Sequence, residues 1–318
     1  MLLSVVIVNW NRKDDVLRAI QSLKDQSHKE LEIIVVDNHS DDGSQQAIRD
    51  KYPDVILMEM PHSKFSACYT FNIGMEAAKG DVVAIMDNDA TFEKDWAELA
   101  IRHLNDNKDV GAVTSRIVNV YKEHFYFQYE TWPDYSDEKE YDIYTFRGCA
   151  FAMRGDLLRK IGAYPEEYEI YANEDDLAAR IWAAGFKIRY YADLSANHYT
   201  SKVQRPGWRM VYFTTRNRIW TYLRYLSPAM AMVHIFWALY VEGPMIIKAG
   251  QTKHLLKGIW DGFKELPRMG KKRKFVPEFQ KVMWKNERDG QRRRKTAPPP
   301  KQEPRKDAQA DTPVEKKK

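Results

Sequence analysis

Short apolar runs, each followed by a polar or acidic turn, constrain the fold of this chain most strongly. Residues 3–8, 32–36 and 81–86 are such runs, and a segment with helical spacing of apolar residues, 15–23, separates the first two. Continuous apolar runs of this length are typical of parallel strands that are covered on both faces. Their alternation with helices predicts a doubly wound α/β sheet, which binds ligands at the carboxyl ends of its strands.

Further elements extend this pattern. The sequence predicts strands over 55–58 and 110–118 and helices over 70–78 and 174–184. Gly80 and Gly185 follow the two helices, and glycine is expected just past a helix because it readily adopts the left-handed conformation. The aromatic and acidic segment 121–144 has no clear period, so it is either a substrate-facing insertion or an irregular edge of the sheet.

The composition is that of a globular protein with a substantial core. Of 318 residues, 44% are hydrophobic and 30% are charged, which excludes a wholly disordered chain, a collagen-like repeat and a multi-span membrane protein.

The two cysteines, Cys68 and Cys149, have no metal-type spacing and are too few for a disulfide scaffold. A reducing compartment is therefore expected, and because residues 2–8 lack a preceding basic segment we expect no export signal and a cytoplasmic protein.

Charge is distributed unevenly along the chain. Residues 268–318 contain 18 Lys and Arg against 7 Asp and Glu, whereas residues 1–267 contain 32 against 38. A weakly acidic body with a basic end is not typical of a nucleic-acid enzyme. The basic run 292–295 admits nonspecific nucleic-acid binding, but the amphipathic segment before it favours an anionic membrane surface, and we expect no nucleic-acid partner.

The C-terminal third has a different character. Residues 229–247 are largely apolar but are interrupted by His234 and Glu242, so a spanning helix is a borderline assignment. Apolar residues then recur at helical spacing beside lysines over 253–266, as in helices that lie in a membrane interface. We predict a catalytic domain over 1–225, membrane-associating amphipathic helices over 226–290 and a disordered basic tail over 291–318. Packing of the helices against the body is the alternative.

Three acidic features lie at the ends of predicted elements. Two follow strands, and the third is at the start of a helix. Asp37 follows the second strand, where it either accepts hydrogen bonds from a nucleotide or caps an Asx turn. Asp87 and Asp89 follow a buried strand and suit a hard divalent cation such as Mg²⁺ or Mn²⁺, the alternative being a solvated turn. The acidic run 173–176 opens a helix, where it supplies either a general base or ordinary dipole partners.

The ordered set of motifs closely resembles glycosyltransferase family 2, whose members are inverting enzymes of the GT-A fold. The resemblance rests on residues 4–12, 32–41, 72–74 and 80–89, and it continues through 147–151 and the acidic helix to His198. Residues 216–220, Arg-Asn-Arg-Ile-Trp, look like the bacterial rhamnosyltransferase-like branch. The resemblance covers about residues 1–225.

This resemblance implies roles for individual residues. The nucleotide-sugar pocket would include Asn9, Asn11, Arg12 and Asp37, with Asp37 on the base or ribose.

The resemblance also implies a metal–diphosphate site flanked by Asp87 and Asp89, Asp89 being the more direct ligand. His198 would be a further metal ligand or diphosphate contact, although a packing histidine is the alternative. Arg216 and Arg218 would neutralise the leaving diphosphate, unless they belong to the face of an interfacial helix.

The catalytic base has two candidates. Members of the family show Glu-Asp with an Arg six residues after the Asp, and counting back six from Arg180 reaches Glu174. The literal Glu-Asp dipeptide instead indicates Asp175. We favour Glu174 slightly.

The implied activity is transfer of a sugar from a dTDP- or UDP-linked donor to a saccharide or polyprenyl-linked saccharide, in envelope polysaccharide synthesis at the inner face of a bacterial cell membrane. A processive synthase is disfavoured because the Gln-x-x-Arg-Trp pattern is absent and no bundle of spanning helices is predicted. Lys64-Phe65 stands where members of the family often have Gly-Phe, so we expect the sugar-facing loop to differ. Two other interpretations stay open. One is an inactive membrane-associated scaffold. The other is a nucleotidyltransferase, which residues 9–12 disfavour because they are not a Gly-rich basic loop.

Overall fold

Four parallel strands form the first half of a nine-stranded sheet. The computed structural model describes residues 1–120, 139–199, 207–265, 267–268 and 273–296. The four strands stand in the order β3-β2-β1-β4. Their bounds are β1 (Leu3–Asn9), β2 (Leu31–Asp37), β3 (Ile56–Glu59) and β4 (Val82–Asp87).

The second half of the sheet is mixed. Beyond β4 the order continues β8-β6-β9-β5, and β7 also pairs with β9. Strand β8 runs antiparallel to β4 and β6, whereas β9 runs parallel to β6 and antiparallel to β5 and β7. The strands are β5 (Ala90–Phe92), β6 (Val110–Asn119), β7 (Glu140–Asp142), β8 (Ala150–Arg154) and β9 (Lys187–His198).

Helices cover both faces of this sheet. Side chains of β1 alternate between two cores, with Val6 in one and Val5 and Ile7 in the other, and all three are fully buried. The predicted doubly wound α/β fold is therefore confirmed. The helices are α1 (Lys13–Lys24), α2 (Ser44–Lys51), α3 (Ala67–Ala77), α4 (Trp96–Asp106), α5 (Gly155–Ile161), α6 (Asn173–Ala183), α7 (Gly207–Tyr225), α8 (Pro228–Lys248), α9 (Thr252–Lys264) and α10 (Pro277–Thr296).

The two glycines predicted to follow helices have different roles. Gly185 follows α6 with φ +86°, as expected for a helix end. The prediction for Gly80 was wrong, because α3 already ends at Ala77 with Ala78 in an extended conformation. A Cβ on Gly80 would overlap the backbone of Ser4 and Val82, so close approach of the chain to β1 requires glycine there.

Helices after residue 225 pack against the α/β body. Phe279 and Met283 of α10 are fully buried in the same core cluster as Val6. The amide of Asn286 accepts from the backbone N–H of Tyr144 (2.9 Å) and donates to the carbonyl of Asp142. The predicted helical segment 226–290 thus shares the core of the body.

Two predictions extend beyond the described residues. Helix α10 continues to Thr296, six residues into the segment predicted to be disordered, as the good helix propensity of Arg and Lys allows. Residues 297–318 lie outside the described part of the chain, as do residues 121–138 of the predicted insertion.

Candidate active site

Polar residues at the carboxyl ends of β1, β2 and β4 meet at one edge of the sheet. Asn9 pairs with Asp37 in the register of β1 and β2, and Val8 pairs with Asp87 in the register of β1 and β4. The parallel pairing brings together side chains that the sequence separates by tens of residues. This edge is where an α/β sheet binds its ligands.

Asn9 links the ends of these strands. Its buried amide donates from Nδ2 to Oδ2 of Asp37 (2.8 Å), and its Oδ1 accepts from Nδ2 of Asn88 (3.0 Å). The carboxylate of Asp37 is fully buried and also accepts from the backbone N–H of Ser40 and from Nε2 of Gln45. Asp37 therefore shapes the turn after β2, and its contact with a nucleotide stays a prediction.

Asn11 supports the same turn from the β1 side. It has φ +50°, its backbone N–H donates to Oγ of Ser40 (2.9 Å), and its Oδ1 accepts from the backbone N–H of Asp41 (2.8 Å). Asn9, Asn11 and Asp37 are not among the residues that line the cavity in front of α6. Arg12 does line that cavity.

Asp87, Asp89 and His198 form a cluster suited to a metal ion. Their potential ligand atoms all lie within 4.8 Å of one another. Nε2 of His198 is 3.1 Å from Oδ1 of Asp89 and 3.9 Å from Oδ2 of Asp87, while Nη2 of Arg12 is 3.4 Å from Oδ2 of Asp89. Two carboxylates and an imidazole fit a divalent cation such as Mn²⁺ or Mg²⁺, so these residues fit the predicted cofactor.

A cavity of about 330 Å³ is lined both by members of this cluster and by the start of α6. Asp87, His198 and Arg12 are among its lining residues, as are Glu174 and Asp175. Further walls come from aromatic, glycine and basic residues that were not assigned a role from the sequence: Trp10, Phe71, Phe146, Arg147, Gly148, Tyr164, Tyr171 and Arg209. One cavity therefore joins the candidate metal ligands to the candidate base.

Glu174 has the properties of a general base. Burial raises its pKa to about 8, which makes its carboxylate a stronger proton acceptor than an exposed one. A Cβ on Gly148 would overlap Oε1 of Glu174. Glycine at 148 thus makes room for the Glu174 carboxylate, a reason for the Arg147-Gly148 pair that the sequence did not reveal.

The two acids after Glu174 are more firmly held. Oδ1 of Asp175 accepts from Oγ1 of Thr145 (2.6 Å), and burial also raises the pKa of Asp175. Asp176 accepts from Nε of Arg180 (2.8 Å), Nη1 of Arg224 (2.6 Å) and the hydroxyl of Tyr225 (2.8 Å). Asp176 therefore anchors α6 to α7.

The two arginines of the Arg-Asn-Arg motif face different surroundings. Arg218 lines the cavity, and its Nη1 donates to Oε1 of Glu242 on α8 (2.8 Å). Arg216 does not line the cavity. Its guanidinium donates to the carbonyls of Glu167 and Tyr168 and to the Glu169 carboxylate, so the structure does not bring it to the predicted diphosphate site.

Asn217, between these arginines, received no role from the sequence. It is fully buried, and its Nδ2 donates to three backbone carbonyls of the loop before α6. One sequence contains no signal for this contact, because an asparagine in a predicted helix does not show which part of the fold its side chain contacts.

Curated proteins similar to this chain are glycosyltransferases. It is 24% identical over 218 residues to the glucosyl-dolichyl phosphate glucuronosyltransferase of Haloferax volcanii, a match that covers 62% of this chain and 69% of that protein. It is 29% identical over 202 residues to the O-antigen chain rhamnosyltransferase WbaN of Salmonella anatum, covering 60% of this chain and 63% of that one. The second match thus spans less than two thirds of its relative.

Solved structures share the fold. The S. aureus TarS fragment 1–349, in complex with UDP-GlcNAc, superposes with a TM-score of 0.66 at 15% identity, covering 93% of this chain and 92% of that one. The likeness confirms the GT-A architecture. The model of the family described as "Glycosyl transferase family 2" matches residues 4–162, half of the chain. The matched segment contains β1 to β4 and the Asp87–Asp89 turn, and the chain belongs to glycosyltransferase family 2.

Proposed function

We propose that this chain is an inverting transferase that moves a sugar from a nucleoside diphosphate to a hydroxyl of a saccharide or lipid-linked saccharide. One observation carries the proposal: Asp87 and His198, two members of the cluster with Asp89, line the same cavity as Glu174. A displacement reaction needs a site for the leaving diphosphate and a base on the other face of the sugar. We assign the cluster to the first of these roles and Glu174 to the second.

In this mechanism Glu174 removes the proton of the acceptor hydroxyl. Its raised pKa favours proton transfer at near-neutral pH. Arg12 brings positive charge to the diphosphate side of the cavity, where it lies beside Asp89. A divalent ion bound by Asp87, Asp89 and His198 would stabilise the negative charge that develops on the leaving diphosphate. Because the attack occurs in one step, the anomeric configuration inverts and no covalent nucleophile is needed.

We propose a dTDP- or UDP-linked hexose or deoxyhexose, including rhamnose, as the donor. The similarity to a rhamnosyltransferase and to the fold of TarS bound to UDP-GlcNAc supports this class. The acceptor would be a saccharide or polyprenyl-linked saccharide in the synthesis of a bacterial envelope polysaccharide.

We further propose that the enzyme lies on the inner face of the cell membrane. Helices α8 and α9 expose large apolar side chains: Phe236 (63% exposed), Tyr240 (81%) and Trp260 (70%). Lys253 and Lys257 are exposed and lie on α9, as Trp260 does. Aromatic and basic side chains together favour the interface of an anionic bilayer.

The packing of α8 supports an interfacial rather than a spanning position. Among the described helices, α8 alone is long and apolar enough to cross a bilayer by length and composition. One of its faces is nevertheless taken up by the protein, since His234 lies 3.1 Å from Glu287 and Glu242 accepts from Arg218. The opposite face is the one available to lipid.

Turnover of defined donors tests the proposed function. Purified full chain is incubated with dTDP-rhamnose, UDP-glucose or UDP-GlcNAc, Mn²⁺ and a saccharide acceptor, and released nucleoside diphosphate and product configuration are measured. We expect release from one donor, an inverted product, and a loss of at least about 100-fold in Asp89→Asn. The matched control is Asp109→Asn, a surface substitution that removes one charge of the ion pair with Lys187. This variant should retain activity. A retained anomeric configuration, or full activity in Asp89→Asn, would contradict the mechanism.

A further inference from the structure

The loop that precedes α6 has an unusual backbone. Glu169, Tyr171 and Ala172 have φ of +62°, +63° and +52°. Non-glycine residues adopt this left-handed region only when surrounding structure holds them there, and such residues cluster at functional sites. Ile170, Tyr171 and Ala172 all line the cavity. The conformation of this loop therefore shapes the site.

Asn217 of α7 restrains this loop, together with the backbone N–H of Cys68, which donates to the carbonyl of Glu169 (2.9 Å). Nδ2 of Asn217 donates to the carbonyls of Tyr168 (2.9 Å), Ile170 (3.0 Å) and Tyr171 (2.7 Å). The side chain is fully buried, so water does not compete for these carbonyls. The two hydrogens of one amide are thus shared among the carbonyls of residues 168, 170 and 171.

Arg216 fixes the orientation of that amide. Its Nε donates to Oδ1 of Asn217 (3.0 Å), which requires Nδ2 to face the loop. Its Nη2 also donates to the carbonyls of Glu167 (3.0 Å) and Tyr168 (3.1 Å). The two neighbours on α7 therefore act on one segment, residues 167–171.

The body of α6 is held by separate contacts. Asp176 accepts from Arg224 and Tyr225 of α7 and from Arg180 within α6. Loss of the Asn217 contacts would therefore release the loop up to the start of α6, while the helix from Asp176 onward stays in place. Glu174 lies between these two parts, two residues after Ala172 and two before Asp176.

We propose that Asn217, oriented by Arg216, is a positioning residue for the base: it holds residues 168–172 so that the carboxylate of Glu174 points into the cavity. This inference rests on the proposed function, in which Glu174 is the base. Asn217 is not among the residues that line the cavity, and it acts through the loop. Misplacement of a reacting group by about 1 Å costs about 100-fold in rate.

Kinetics of Asn217→Ala in the full chain test the proposal. Single-turnover release of nucleoside diphosphate from dTDP-rhamnose or UDP-GlcNAc with Mn²⁺ should fall about 10- to 100-fold, with the half-saturating donor concentration unchanged within about threefold. Gln26→Ala is the matched control. Gln26 is a fully buried amide that likewise binds three backbone groups, the carbonyls of Ser22 and Glu93 and the N–H of Ala97, and its variant should keep the wild-type rate.

A double-mutant cycle separates positioning from general destabilisation. If Asn217 acts through Glu174, adding Asn217→Ala to Glu174→Gln should reduce the rate by less than about threefold, because the base is already absent. Equal losses in both backgrounds would overturn the positioning role. Wild-type activity of Glu174→Gln alone would instead contradict the proposed function, so the two failures are distinguishable.

Hydrogen exchange gives a readout that needs no substrate. We expect Asn217→Ala to accelerate amide exchange in residues 168–174 while residues 177–183 stay protected. Unchanged exchange in the loop would overturn the proposal. If Asn217→Ala does not fold, Asn217→Asp gives the same comparison, since it keeps the oxygen that accepts from Nε of Arg216 and removes the Nδ2 donor.

Discussion

Nε2 of His198 lies 3.1 Å from Oδ1 of Asp89, although 109 positions separate the two residues in the chain. The antiparallel pairing of β5 with β9, in which Ala90 opposes His198, brings them together. The backbone N–H of Tyr199 also donates to the carbonyl of Asp89 (2.8 Å). The candidate metal cluster therefore depends on an edge strand of only three residues.

Gly148→Ala should reduce turnover without unfolding the protein. The added Cβ would overlap Oε1 of Glu174, the far end of a flexible side chain that shifts at little cost. We expect a rate loss of about 10- to 100-fold from the displaced base and an unchanged affinity for nucleoside diphosphate. Kinetics and calorimetric titration check these expectations.

Gly207→Ala serves as the control for that substitution. A Cβ at Gly207 meets no heavy atom of the described residues within 4 Å, so the turnover of this variant should match that of the wild type. Equal turnover in Gly148→Ala would mean that the reaction does not require the Glu174 carboxylate in the position for which Gly148 makes room.

Glu174→Gln and Asp175→Asn should differ in their effect on the rate. Asp175 is engaged by Thr145, whereas Glu174 has the carboxylate for which Gly148 makes room. We expect Glu174→Gln to lose about 100- to 10,000-fold, the range of general base catalysis, and Asp175→Asn to lose less than about tenfold. Single-turnover kinetics of both variants measure this, and the reverse order would assign the base to Asp175.

The contribution of Glu174 to the free energy of unfolding should fall as the pH rises from about 5 to about 8. The pKa of Glu174 is raised from 4.5 to about 8 in the folded protein, so over this range the folded state binds more protons than the unfolded state. Stability is therefore lost progressively above the unfolded pKa, and the loss is complete above about pH 8. Melting temperatures of the wild type and Glu174→Gln across pH 5–9 test this.

The variant lacks the titrating group, so its melting temperature should depend less on pH in that window. At pH 8.5 it should be the more stable of the two proteins. If the difference in melting temperature between the two proteins does not change with pH, burial does not raise the pKa of Glu174.

Binding to anionic vesicles should depend on the exposed aromatic face of α8 and α9. Phe236→Glu combined with Trp260→Glu removes two large exposed apolar side chains and adds negative charge. We expect at least about tenfold weaker flotation with vesicles that contain phosphatidylglycerol, because apolar insertion and electrostatic attraction both decrease. Ile56→Glu, on the edge strand β3, is the matched control and should float like the wild type. Equal flotation of the double variant would exclude this face as the membrane contact.

The sheet and its polar edge could be predicted because their signals are local. Apolar runs that end at Asn9, Asp37 and Asp87 determine both the strands and the side chains that meet at their carboxyl ends. The family resemblance added His198, which spacing alone would not have joined to Asp89.

Features that depend on long-range packing could not be predicted. Gly80 is required by the approach of β1 rather than by a helix end, and Arg216 faces the loop before α6 rather than the cavity. The three carbonyl contacts of Asn217 likewise depend on how α7 packs. A helical position in one sequence does not specify its partner in the fold.

Metal-dependent binding of a nucleotide tests the central claim most directly. Thermal unfolding of the full chain is followed with UDP, dTDP and their sugars, each with and without Mn²⁺, for the wild type, Asp89→Asn and Asp109→Asn. A ligand at 100 times its Kd stabilises a protein by about 2.7 kcal/mol, a readily measured shift. We predict a shift with one nucleotide that requires Mn²⁺, persists in Asp109→Asn and disappears in Asp89→Asn. No shift with any nucleotide, or the same shift in Asp89→Asn, would contradict the assignment of this cavity as a nucleotide-sugar site.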